Sequence, residues 1–129
     1  MLSLAPQLVI WVCVEPVDFR CGIDRLAQTC RTVLESDPMS GAVFVYRNRK
    51  ATAVKILVYD GQGFWLAQKR LSSGHFRHWP QGDGESKVKL LWHELSVVLS
   101  NGNFKAACAQ SLWRPLAPKG LRTPLGEAG

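Results

Sequence analysis

Two periods of hydrophobic and polar residues run along this chain, and they mark out strands and helices in a fixed order. Leu8 to Val14 (LVIWVCV) is a continuous apolar, β-branched run that predicts a buried strand, ended by Glu15 and Pro16. From Ile23 to Glu35 the period changes. Ile23, Leu26, Ala27, Cys30, Val33 and Leu34 recur at helical spacing, while Asp24, Arg25, Gln28, Arg31 and Thr32 take the opposite side. Asp37-Pro38 closes this helix, because the residue before a proline avoids the helical region.

Three β-rich runs follow, Ala42 to Arg47, Ala53 to Tyr59 and Phe64 to Leu71. The polar loop Asn48 to Thr52 and the turn Asp60-Gly61-Gln62-Gly63 join them, and connectors this short imply antiparallel neighbours. His75 to Trp79 is a candidate short strand, and Lys87 to Leu90 a last one. A second helix is expected from Leu91 to Leu99, with Leu91, Leu95, Val98 and Leu99 as its stripe. The predicted fold is α+β, an antiparallel β-meander of about four to six strands with two helices packed on it. Residues 1–105 are expected to form a single domain. Residues 106–129, which become rich in Pro, Gly and Ala without periodicity, form a C-terminal extension expected to be partly disordered.

Charge changes this picture from a bare fold to a fold with a side. The chain of 129 residues carries a net charge of +6. Nine basic residues and three acids lie between Arg47 and Lys89, so the whole excess falls in the middle third. Such a block fits a polyanionic partner, and equally a solvated sheet face that favours solubility. Arg47, Arg49 and Lys50 fall at or beside a hairpin tip, Lys69 and Arg70 end a later strand, and Arg77 stands among Phe76, His78 and Trp79. Arginines at loop tips contact phosphates or enter grooves, and interleaved aromatics stack on unpaired bases. These six are the candidate nucleic-acid contacts. Of the aromatics, Trp11, Phe44 and Trp65 are expected in the core; Trp79 and Trp92 could serve either the core or a surface.

Catalytic constellations are not evident. His75 and His78 are three apart, which on a strand sends them to opposite faces, so no metal site is expected. Asp60 is explained by its turn and Asp24 by a helix's first turn; Glu94 lies within a helix, and Asp18 alone lacks an evident structural reason. The chain has no G-x-S-x-G and no phosphate-binding loop, and Gly61-Gln62-Gly63 reads as a turn. Cys13 and Cys30 read as small buried hydrophobes. No catalytic residue, cofactor or enzyme activity is expected. Without a basic leader or a long apolar segment, a cytoplasmic protein with reduced thiols and no membrane association is expected.

Four stretches carry a more specific signal: VDFRCGIDRLAQ (Val17 to Gln28), DPMSGAVFVYRNRK (Asp37 to Lys50), VKILVYDGQGFWLAQKRLSSGHFRHWP (Val54 to Pro80) and VKLLWHELSVVLSN (Val88 to Asn101). In these the chain resembles the TnpB (Orf2-like) accessory proteins of the insertion sequence (IS) 66 family, over about four fifths of its length. The family usually has lysine or arginine where Cys21 stands. The resemblance implies a protein encoded beside a separate transposase that carries the catalytic acids. Two functions follow as expectations. One is a non-catalytic DNA-binding factor acting on element ends with the transposase; the other is an interaction module that bridges transposase subunits without touching DNA. Asp18 and Arg20 are expected to form a structural ion pair or a partner contact. An exposed edge strand in the meander would support a homodimer.

Overall fold

In the computed structural model, residues 8–101 are described. The elements are β1 (Ile10–Cys13), α1 (Ile23–Thr32), β2 (Val43–Arg47), β3 (Ala53–Tyr59), β4 (Phe64–Arg70), β5 (Lys87–Leu90) and α2 (Trp92–Leu99). The five strands form one sheet in the order β4-β3-β2-β1-β5. The α+β expectation and the β2-β3-β4 meander hold. The sheet is mixed rather than wholly antiparallel, because β1 pairs in parallel with β2 through Ile10↔Val43, Trp11↔Phe44 and Val12↔Val45. The reason is the connection: α1 lies between these strands and carries the chain back to the end where β1 began. β5 then returns antiparallel to β1 on its other side.

Strand alternation sorts the apolar residues into two cores, one per face. On the first face Phe44, Tyr46 and Leu57 meet Leu26, Ala27, Cys30 and Leu34 from α1 and its C-terminal turn. On the second, Ile10, Val12, Val43, Val45, Val54 and Leu90 meet Leu95 and Val98 of α2 together with Phe76 and Trp79. The sheet is thus covered by one helix on each face. The segment His75 to Trp79 is not a strand. It is irregular chain that folds back over the second face, where the indole Nε1–H of Trp79 donates to the Cys13 carbonyl (2.9 Å).

Several local features follow from chemistry already visible in the chain. Glu94 caps α2, its Oε1 accepting the backbone N–H of Leu91 at 2.8 Å, and this explains a carboxylate that is otherwise buried. In the β3–β4 turn Asp60 Oδ1 accepts the N–H groups of Gln62 and Gly63, while Gly61 takes a φ of +100°. Cys13 and Cys30 are buried as expected. Trp65 is not in the core: it is 68% exposed, on the second face of edge strand β4, with its Nε1–H donating to Asp60 Oδ2. Trp79 is buried at 8% exposure, and Trp92 stands out at 64%. The expected boundary at residue 105 and the extension 106–129 lie outside the described residues. Among the described residues no helix is long and apolar enough to cross a membrane.

Candidate nucleic-acid interface

Where β2 and β4 end and β3 begins, three separate segments surround a shallow groove of about 540 Å³. The connector before α1 supplies Val17, Asp18, Phe19 and Arg20; the β2–β3 hairpin supplies Asn48, Arg49, Lys50 and Thr52; and edge strand β4 supplies Gln68 and Arg70. Each segment has its own anchor.

The connector is held from beneath by Lys55. This β3 residue is only 7% exposed, and its ammonium donates to the carbonyls of Phe19 (3.1 Å) and Cys21 (3.3 Å). It also lies 4.8 Å from the centre of the Phe19 ring, a cation–π distance. Burying an amine is unfavourable unless its donors are used, and here two carbonyls and a ring face use them. Above this anchor, Asp18 and Arg20 form a two-pronged ion pair. Arg20 Nη2 reaches Asp18 Oδ2 at 2.9 Å, its Nε lies 3.2 Å from both carboxylate oxygens, and the Arg20 backbone N–H donates to Oδ1 at 2.9 Å. Hydrogen bonds from the Arg20 side chain, then from its backbone, hold the Asp18 carboxyl down at about 2. The expected Asp18–Arg20 ion pair is therefore present, and Arg20 remains largely exposed on the rim.

The hairpin tip is tied by Asn48. Its Oδ1 accepts the N–H groups of Thr52 (2.8 Å) and Ala53 (3.1 Å), and its Nδ2 donates to Thr52 Oγ1 (2.9 Å). The Ala51 carbonyl accepts the Phe76 N–H at 2.7 Å, which fastens the tip to the irregular segment. Arg49 and Lys50 project from this frame with exposed side chains. Arg70 and Gln68 complete the groove from β4, on the α1 side of the sheet.

The six candidate contacts therefore divide. Arg49, Lys50 and Arg70 come together. Arg47 lies on the opposite face, half-buried, with its guanidinium 6.0 Å from the Trp79 ring centre and Nη2 donating to the Val14 carbonyl at 3.5 Å. Lys69 lies on that face too, its ammonium donating to the Leu99 carbonyl at the C-terminal end of α2. Arg77 is exposed near the same end, its backbone N–H held by Asn101 Oδ1 at 3.0 Å. Arg20, Asn48 and Gln68 are groove residues that sequence reasoning did not assign to the interface. Strand alternation could have separated Lys69 from Arg70, since neighbouring strand residues point to opposite faces. Nothing in the sequence brings Arg20 to the hairpin. In charge the groove has four cations and one acid, and that acid is already engaged by Arg20. Among the described residues no group of three or more His, Cys, Asp or Glu side chains could hold a metal ion.

A family described as IS66 Orf2 like protein matches residues 8–109. Two proteins of Sinorhizobium fredii (strain NBRC 101917 / NGR234), the uncharacterized proteins y4hO and y4jC, are 34% and 36% identical over 115 residues. Each alignment covers 89% of this chain, with 96% of y4hO and 97% of y4jC. No solved structure matches the chain at a significant level.

Proposed function

The chain belongs to the IS66 Orf2-like family, which comprises accessory proteins of IS66 transposition rather than the catalytic transposase, and we propose that it serves there as a non-catalytic DNA-binding factor. The observation that carries this reading is the convergence of Arg20, Arg49, Lys50 and Arg70 on one groove. Exposed cations drawn from three segments, two of them locked by internal hydrogen bonds, suit a phosphate backbone. Phosphates reward fixed positive charge whatever the base sequence. Asn48 and Gln68 add polar groups between the cations. DNA at the element ends, held together with the separate transposase, is the ligand this reading names.

The test is binding of the full chain to labelled element-end DNA, against unrelated duplex and single strands, over a salt series. A steep salt dependence that flattens by about two counterions in the Arg49→Ala/Lys50→Ala double variant is the expected result. Affinity unchanged in the double variant removes the groove from the interface.

A second reading, a protein module that bridges transposase subunits, is favoured by Leu91 and Trp92. These stand side by side at the start of α2, both exposed. Large exposed apolar side chains mark protein contacts more often than nucleic-acid contacts. Capture of the transposase that is lost in Trp92→Ala but kept in the Arg49→Ala/Lys50→Ala variant would assign the two surfaces to two partners.

A further inference from the structure

Strand β4 is an edge of the sheet, and among the described strands it pairs only with β3. Its seven residues pair with β3 without interruption, from Ala53↔Arg70 to Tyr59↔Phe64, so the strand carries no bulge, and it contains no proline. Those are two of the usual devices that stop an edge from recruiting another chain. A third, a lysine on the strand, is present as Lys69, but its side chain is folded over the α2 face onto the Leu99 carbonyl.

The direction of the free backbone groups can be worked out. The Leu71 N–H donates to Thr52, and the Gly63 carbonyl accepts from Asp60, so both these odd-numbered residues turn their polar groups toward β3. By the two-residue period, Phe64, Leu66, Gln68 and Arg70 turn theirs outward. In an antiparallel pairing of two copies with Ala67 opposite itself, Phe64 faces Arg70 and Leu66 faces Gln68. Every outward N–H and C=O is then used in closely spaced pairs. On the α2 face the same register sets Trp65 opposite Lys69 of the second copy, and on the α1 face Phe64 opposite Arg70. Arg70 thus meets an aromatic ring rather than a like charge, and the aliphatic stem of Lys69, whose ammonium is held at the Leu99 carbonyl, is set against the Trp65 ring. Trp65 is prepared for this: its ring is exposed and its indole nitrogen is already held by Asp60.

We propose that the protein forms a homodimer by antiparallel pairing of β4 with β4 of a second copy, centred on Ala67, giving a continuous ten-stranded sheet. The two-fold axis is perpendicular to the sheet, so both cationic grooves lie on the same face, with the two Arg70 residues offset by about 20 Å along the strands. The pairing stands on backbone geometry and does not require the grooves to bind DNA.

The test uses the full chain without DNA. A cysteine at Ala67 lies opposite its own copy at a Cα separation of about 4.5–5.5 Å, within disulfide range, whereas cysteines at Lys69 lie about 13 Å apart along the strands and cannot bridge. Under mild oxidation Ala67→Cys is expected to give a covalent dimer on a non-reducing gel, with Lys69→Cys and the native protein remaining uncrosslinked. In sedimentation the native chain is expected as a dimer and Ala67→Glu, which sets two carboxylates face to face, as a folded monomer. A native chain that stays monomeric at high micromolar concentration, a dimer indifferent to Ala67→Glu, or crosslinking as efficient at 69 as at 67 overturns the proposal.

Discussion

The ammonium of Lys55, on strand β3, donates to the backbone carbonyl of Phe19, 36 positions earlier in the chain, at a distance of 3.1 Å. This contact joins the connector that carries Asp18 and Arg20 to the sheet that carries the hairpin, so it decides whether the connector stands beside the hairpin and β4 as the third side of the groove. Lys55→Met keeps the length and the apolar stem but leaves the carbonyls of Phe19 and Cys21 without their donor. The expected loss is about 1–3 kcal/mol of stability, as for a buried polar group deprived of its partner. Chemical denaturation measures that loss. Hydrogen exchange should rise in residues 17–22 before it rises in β3; uniform exchange across the sheet would mean that the anchor does not act locally.

Arg47 and the hairpin tip should separate cleanly in experiment. Arg47 packs against the buried Trp79 and reaches the Val14 carbonyl, so Arg47→Ala removes packing as well as charge. A stability loss of about 1–2 kcal/mol is expected, with the salt slope of DNA binding unchanged. Arg49→Ala is expected to do the opposite, leaving the melting temperature in place and lowering the slope by about one. A salt slope that drops in Arg47→Ala with unchanged stability would return Arg47 to the interface.

The Asp18 carboxyl should titrate unusually low. Its pKa in the folded chain is about 2, because hydrogen bonds from Arg20 favour the carboxylate, against about 3.9 for an unperturbed aspartate. A depressed folded value means that the pair's contribution is fully present above about pH 4 and is lost as pH falls toward about 2. Carbon-detected NMR titration of the side chain should find this midpoint in the native chain and a rise to the ordinary range in Arg20→Ala. An unchanged midpoint would show that the ion pair does not form in solution.

Thiol chemistry provides a direct check of the core on the α1 face, which holds both buried cysteines. Burial pushes Cys13 and Cys30 up to about 11, so both thiols stay protonated and shielded at neutral pH. Alkylation followed by peptide mapping should leave both unmodified in the native chain and label both after unfolding. Rapid native labelling of Cys30 would place α1 away from the sheet.

Most of the secondary structure was legible one element at a time. The Ala53–Tyr59 and Lys87–Leu90 strands occur where their pattern predicted, because alternation and bounding turns are local signals. The helical stripe of Ile23 to Leu34 was similarly plain, although α1 ends at Thr32 and Glu35 takes a φ of +51°. Trp65 misled, because an aromatic residue in a strand suggests a core while exposure depends on whether anything covers that face of an edge strand. His75 to Trp79 misled for the related reason that a short aromatic run packs equally well as strand or as irregular chain.

Composition, periodicity and turn chemistry act between neighbours in the chain, and they were enough to specify the element types, the hairpins, the two buried cysteines and the basic middle third. The tertiary structure alone decided that β1 enters the sheet parallel to β2, and that Arg47 and Lys69 serve the α2 face while Arg20 joins Arg49, Lys50 and Arg70 at a single groove. The physical reason is that a charge cluster depends on the direction of each side chain and on the order of strands in space. That order is set by contacts such as Lys55 to Phe19, between residues far apart in sequence.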